Sequence, residues 1–208
     1  MKRLEVAVNT MRTGLSVALL GLILTGCAPH RIRYYQLSAF PSGGAVTSAG
    51  PTVVVGRIAT AQALQDGRIR YHEGPNEVGA YEYHRWTDPP GVMVREALVH
   101  ALRASGKFGA VQDATSSVSG DYSVRGKLLE FAEVDNPGIQ TRVSLELEMR
   151  EVKTGKLIWN KLVTHDEPAA AKEVTDVVKS LDQNLQTVLK DSVTGIEAYL
   201  AAHPAQGN

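Results

Sequence analysis

Reactive side chains are sparse in this 208-residue chain, and their spacing limits the chemistry they can do. Its single cysteine, Cys27, closes an apolar run that begins at Gly14. With no second cysteine, a disulfide, a redox couple or a multi-thiolate metal site has no basis within one chain. The six histidines, at 30, 72, 84, 100, 165 and 203, lie in separate segments and form no i, i+4 pair of the kind that holds a metal on a helix. Glu82 and Asp88 flank Trp86 as an acid pair, although Asp88, just before Pro89-Pro90, serves more simply as a helix cap. Ser42-Gly43-Gly44 lacks the following Lys and helix that a phosphate loop requires, and no G-x-S-x-G, G-x-G-x-x-G or H-E-x-x-H pattern occurs. These residues mark no catalytic set and no metal set. A hydrolytic site assembled by the fold from His84, His165 and a carboxylate stays open as an alternative.

Cys27 is better explained by its neighbours. The run from Gly14 to Thr25 is shorter than the roughly 20 residues a spanning helix needs, and Lys2, Arg3 and Arg12 precede it as a basic n-region. That pattern predicts export and removal of residues 1–26. Leu24-Thr25-Gly26-Cys27 resembles the lipobox of bacterial lipoproteins, in which the Cys sulfur receives diacylglycerol and cleavage follows just before it. The other reading makes Cys27 a small residue in an ordinary secretory signal or an uncleaved anchor, but an unpaired thiol is anomalous in an oxidising compartment unless its sulfur is already used. The mature Cys27 would carry diacylglycerol and an N-acyl chain such as palmitate, and two or three chains anchor stably where one does not. Ala28, in place of the Asp that retains such proteins at the inner membrane, favours the outer membrane. Met11 is as good a start as Met1, since Met11 to Cys27 alone makes a compact signal.

Removal of residues 1–26 takes away Lys2, Arg3, Arg12 and Glu5 and leaves 182 residues with 19 basic against 21 acidic side chains. A near-neutral chain is no nucleic-acid binder by bulk charge. The length suits one domain with an apolar core, here divided into a lipidated N-terminus and loop at 27–51, a domain at 52–202 and a tail at 203–208.

Patterning supplies the elements that would position any site. A short strand at Tyr34–Leu37 precedes a Gly/Ser-rich loop at 38–51, and the β-branched run Thr52–Ile58 reads as a central strand. Arg68–His72 and Gly79–Tyr83, separated by Glu73-Gly74-Pro75-Asn76, read as a hairpin. Asp88 as cap and Pro89 at the first helical position open a helix through Val94, Leu98, Ala101, Leu102 and Ser105 that stops at Gly106. A strand at Phe108–Val111 follows, and a loop runs from Asp113 to Gly120. Strands at 121–134, 141–152 and 156–164, joined by Asp135-Asn136-Pro137-Gly138 and Lys153-Thr154-Gly155, form an antiparallel meander. In the second of these, Val143, Leu145, Leu147 and Met149 face one way, while Arg142, Ser144, Glu146, Glu148 and Arg150 face the other. From Val174 to Leu200 apolar residues recur three or four apart, a long amphipathic helix whose expected break is Gly195. Its stripe packs as core on the sheet or, alternatively, meets a partner. Residues from Ala201 onward read as a frayed end. The sum is an α+β fold, a mostly antiparallel sheet with two helices packed on one face.

Aromatic residues are the remaining concentration of binding chemistry: Tyr34-Tyr35, Tyr71, and Tyr81-Glu82-Tyr83-His84-Arg85-Trp86. Such rings bury large area at low entropic cost, in cores and interfaces alike. Core packing is favoured for Tyr35, Tyr83 and Trp86, and Tyr34 and Tyr81 stay open; Tyr34, Tyr81 and Trp86 are the candidate partner-binding side chains.

At these residues the chain resembles a known family. The lipobox followed by Tyr34-Tyr35-Gln36-Leu37, the strand Val53-Val54-Val55-Gly56-Arg57-Ile58, and Tyr81-Glu82-Tyr83-His84-Arg85-Trp86-Thr87-Asp88-Pro89-Pro90 are similar to the ABC-type transport auxiliary lipoproteins, the PqiC-like family. The likeness continues through Asp121-Tyr122 and the Thr154-Gly155 turn before Ile158-Trp159. It implies a fold like the TolB amino-terminal type and an outer-membrane-anchored periplasmic subunit. The implied partners are an MCE-domain protein and an inner-membrane ABC transporter that move lipids between membranes, and a homo-oligomeric ring fits the same picture. No catalytic residues carry over, so the resemblance implies no enzyme and no cofactor beyond the acyl groups on Cys27. A periplasmic adaptor or assembly lipoprotein of another envelope complex is the alternative.

Overall fold

The alternation read in residues 141–152 organises the whole molecule. In the computed structural model, which describes residues 30–38, 50–114, 120–135 and 138–204, Val143, Leu145, Leu147 and Met149 are each fully buried. Their strand, β7 (Ile139–Glu151), pairs antiparallel with β6 (Tyr122–Asp135) on one side and β8 (Leu157–Pro168) on the other. The expected meander is present, and β8 runs four residues past its predicted end at Thr164. Residues 1–29, and with them the signal segment and Cys27, lie outside the described residues, as do most of the 38–51 loop and Asn136-Pro137.

The second edge of β6 is shared. β2 (Thr52–Thr60) lies parallel to its first half, Val53 opposite Tyr122, and β3 (Arg68–Gly74) lies parallel to its last residues, Arg70 opposite Ala132. β5 (Ala110–Asp113) extends the sheet beyond β2, while β4 (Glu77–Trp86) and then β1 (Arg33–Tyr35) extend it beyond β3. The β3–β4 hairpin is the predicted one, with longer arms. The pairings β1–β4, β2–β5, β2–β6 and β3–β6 are parallel, so the eight-stranded sheet is mixed, its antiparallel character concentrated in β6–β8 and the hairpin. Two helices on one face of this open sheet agree with the fold class read from the sequence.

Helix α1 (Pro90–Ser105) packs over β2, and α2 (Val174–Ala202) lies across β7 and β8. Pro90, not Pro89, occupies the first helical position; Pro89 is the N-cap and brings no side-chain acceptor, so Asp88 falls one residue too early to cap. A second consequence of this start concerns Gly91, where an added Cβ would lie 2.5 Å from the Ile58 carbonyl oxygen, so only glycine lets α1 approach the β2 backbone this closely. Gly106, in the left-handed region at φ 66°, ends α1 as expected.

The predicted break in α2 does not occur. Its apolar stripe, Val177, Leu181, Leu185, Val188, Leu189 and Ile196, is buried on the sheet, and that burial outweighs the roughly 1 kcal/mol cost of a mid-helix glycine. Gly195 instead makes room for the Trp159 ring, 3.1 Å from where a Cβ would sit. The helix also continues through Ala201 and Ala202, where fraying was expected, and the His203 ring stacks on Tyr199 at 4.3 Å.

Candidate functional site

The aromatic residues converge where β1 meets β4. Register places Arg33 opposite His84, Tyr34 opposite Arg85 and Tyr35 opposite Trp86, and the Thr87 amide donates to the Tyr35 carbonyl at 2.8 Å. Alternation along β1 then separates the two adjacent tyrosines. Tyr35 packs against the core and its hydroxyl lies 2.8 Å from His84 Nδ1, with the rings stacked at 5.6 Å. Tyr34 points out and is 62% exposed. Burial, then the charge of Arg33, pushes the His84 pKa below its ordinary value, so the ring is neutral at neutral pH.

Trp86 corrects the surface reading. It is 3% exposed and its ring packs 5.1 Å from that of Phe131, itself fully buried, so its indole belongs to the core and offers no partner a contact. The core role favoured for Tyr35 and Trp86 holds; Tyr83 is half-buried on β4.

Tyr81 does something the sequence does not reveal. Its hydroxyl donates to Glu133 Oε2 at 2.5 Å, and its ring lies 4.9 Å from Tyr71 and 5.8 Å from His84. Glu133, on β6, is only 5% exposed, and this hydroxyl stands beside it. Burial first, and the Glu133 bond second, raise the Tyr81 pKa far above the ordinary phenol value. Tyr81→Phe is therefore expected to cost about 1–3 kcal/mol, the price of a buried acceptor left unmade. Because the folded-state pKa is raised, the contribution is fully present below about pH 10 and is lost as pH rises beyond it. Thermal unfolding followed from neutral to alkaline pH checks this: Tyr81→Phe should be less stable at pH 7 and show a shallower alkaline decline, and a wild-type-like curve would refute it.

A second polar group joins α2 to the meander. Asn184 Nδ2 donates to the Thr141 carbonyl at 2.7 Å and to the His165 carbonyl at 3.0 Å, while its Oδ1 lies 3.1 Å from His165 Nδ1. Ser180 and Thr141 share a hydroxyl contact at 2.8 Å. Ser180 and Asn184 sit i, i+4 inside a mostly apolar stripe that also buries Ser192, and such interruptions are the signal by which they are legible. His84 is thus engaged by Tyr35 and His165 by Asn184, in separate parts of the sheet, and Asp88 is exposed at the start of α1.

A cleft of about 200 Å³ beside β1 is lined by Gln36, Leu37, Thr87, Asp88, Glu96 and His100, below the 300–1,000 Å³ usual for ligand pockets, while clefts of about 450 and 500 Å³ lie near the end of α2, lined by Tyr122, Glu151 and Leu200 and by Phe108, Thr194 and Leu200. No group of three or more His, Cys, Asp or Glu able to hold a metal occurs among the described residues. No helix among them is long and apolar enough to cross a membrane. On the sheet face away from the helices, Arg142 forms a two-pronged bond to Asp166 at 2.7 Å per contact, Ser144 meets Thr164 at 2.8 Å, and Leu162 is 56% exposed. Among the described residues, His84, His165 and Asp88 stay apart, and the sheet presents surfaces for contact.

The model of a family described as ABC-type transport auxiliary lipoprotein component matches residues 35–191, from Tyr35 in β1 to Asp191 in α2. The chain belongs to this family. Among solved structures, the auxiliary-lipoprotein fold described above is similar to that of XCC0632 from Xanthomonas campestris, with a TM-score of 0.71 at 18% identity over 82% of this chain and 98% of that one. An uncharacterised protein matches with a TM-score of 0.64 at 16% identity, covering 80% and 99% of the two chains. The hypothetical protein CT253 from Chlamydia trachomatis gives 0.52 at 11% identity over 74% and 100%. At these identities the likeness is one of fold. No curated protein matches the chain. Membership of the auxiliary lipoproteins ties the chain to ABC-type transport and to a lipid-modified class.

Proposed function

We propose that the protein is a non-catalytic auxiliary subunit of an intermembrane lipid transport system, anchored by acyl groups on Cys27 to the periplasmic face of the outer membrane. The match of the family across residues 35–191 carries this reading, and Leu24-Thr25-Gly26-Cys27 with Ala28 supports the anchor and its membrane. The domain binds an MCE-domain protein, which bridges to an inner-membrane ABC transporter, and a ring of copies offers that partner a continuous docking rim. Tyr34 is the exposed aromatic available to such contacts; Tyr81, tied to Glu133, is a positioning residue at most. Energy comes from the ATPase of the transporter. Affinity capture of the full chain from detergent-solubilised envelopes tests the assignment: an MCE-domain protein should dominate the recovered partners. Recovery of a different envelope complex without any MCE protein would replace it with an adaptor role.

A further inference from the structure

Three arginines line up on the sheet face away from the helices. Tyr34 stands opposite Arg85, and Arg85 opposite Arg68, across β1, β4 and β3. The alternate positions Trp86 and Ile69 are in the core, which puts Tyr34, Arg85, Arg68 and Arg70 on the other face. Asp66 is the carboxylate bonded to this group: Oδ1 lies 2.7 Å from Arg70 Nη2, and Oδ2 lies 3.4 Å from Arg68 Nε. Burial pushes the Asp66 pKa up, but the Arg68 amide and the two guanidinium charges outweigh it, so the carboxyl stays ionised. One negative charge against Arg68, Arg70 and Arg85 leaves an excess of positive charge on this face, and exposed Arg33, on the other face of the edge strand opposite His84, adds to it at the edge.

Donor capacity here is unfilled. Arg85 and Arg33 form no ion pair among the described residues, and the Arg68 side chain, 42% exposed, shares its one carboxylate with Arg70, while the Nε atoms of Arg68 and Arg70 are themselves buried. Guanidinium groups in this state suit phosphate oxygens. We propose that this sheet edge is a second membrane contact, in which Arg33, Arg68 and Arg85 bind the phosphates of anionic lipid headgroups beside the exposed ring of Tyr34. The proposal rests on the acylation of Cys27 argued above. Arg33 follows Cys27 by six residues, a span of at most about 20 Å, so an acylated sulfur keeps this edge within reach of the bilayer surface. A tyrosine at the interface and a basic cluster attracted to anionic lipid are the two features that orient a protein on such a surface.

The test uses the full acylated chain in phosphatidylcholine vesicles with and without phosphatidylglycerol. Acylation consumes the only native thiol, so Ile32→Cys, at a position 46% exposed, takes a single nitroxide next to the arginine row. The label should be shielded from an aqueous relaxation agent only when phosphatidylglycerol is present, and high salt should abolish the shielding. Arg33→Gln/Arg85→Gln, which breaks no ion pair of the fold, should weaken the phosphatidylglycerol dependence by about fivefold for each arginine removed. Equal accessibility on both vesicles, or shielding retained in the double variant, would overturn the proposal. Shielding that follows protein density instead of lipid charge would assign the surface to a second copy and overturn it equally. A chain that takes two labels and lacks the acyl mass overturns the anchor; the same measurement in a Cys27→Ser background, with vesicles added, then decides the lipid contact by itself.

Discussion

Cys27→Ser is expected to remove the protein from the outer-membrane fraction almost completely and to abolish acyl labelling. The magnitude follows from the anchor: each buried methylene contributes roughly 0.8 kcal/mol, one chain binds marginally, and two or three chains make dissociation negligible. Replacing sulfur by oxygen denies the lipid transfer its nucleophile, so the loss should be all or none. Density-gradient fractionation with metabolic acyl labelling measures both effects, and a denaturation midpoint equal to that of wild type shows that the fold is intact. Among the described residues, the fully buried apolar side chains, Phe131, Leu145 and Leu181 included, lie within residues 53–196. Unchanged membrane retention together with unchanged labelling would defeat the lipoprotein anchor.

Trp86→Ala should be among the most destabilising single changes in the domain, at about 3–5 kcal/mol. The indole is 3% exposed, stacks obliquely on Phe131 and sits at the end of β4, where the Trp86 amide donates to the Gly67 carbonyl at 2.8 Å. Removing it leaves a void between β1, β4 and β6 that rigid strands do not close. Against a typical domain stability of about 5–15 kcal/mol, such a loss is a large fraction of the total. Tyr34→Ala, one strand away and on the outer face, should change stability by about 0.5 kcal/mol or less while removing surface that a partner or membrane meets. Urea unfolding of the two variants gives the contrast directly. A small loss for Trp86→Ala, or a large one for Tyr34→Ala, would contradict the assignment of one ring to the core and the other to the surface.

What was legible in the sequence follows from locality. The alternation of Val143 to Met149 and the helical stripe from Val177 to Ile196 report burial on one face, and both elements are found where the pattern places them. The β3–β4 hairpin was equally readable because its turn lies between its own strands. The parallel pairing of β2 and β3 along a single edge of β6 was not, since it joins residues more than fifty positions apart and leaves no local period. Gly195 misled because propensity speaks for an isolated helix, whereas the space it leaves is filled by Trp159. Among the site residues, Tyr34 and Tyr35 were separable by alternation once β1 was known to be a strand. Glu133 was hidden, for nothing near it in sequence marks it as buried beside Tyr81. The family resemblance carried by the Tyr81 to Pro90 stretch agrees with the match over residues 35–191, although Trp86 within that stretch acts through packing.

β1 has a mechanical meaning. Under the anchor proposed for Cys27, any tension between membrane and domain enters the sheet through a strand of three residues, held by its pairing to β4 and by the Tyr35–His84 contact. The β6–β7 pairing, which spans Tyr122–Glu151 to Asp135–Ile139, lies far downstream of that load. β1 is therefore the fuse of the tether. If it lets go, the next fixed point is Ser38, whose amide donates to Asp182 Oδ1 at 3.3 Å, and the leash from the acylated sulfur lengthens from about 20 Å to on the order of 40 Å while the core stays packed. Under the proposed anchor, a domain built this way gives ground when the bilayer that holds the sulfur is pulled away.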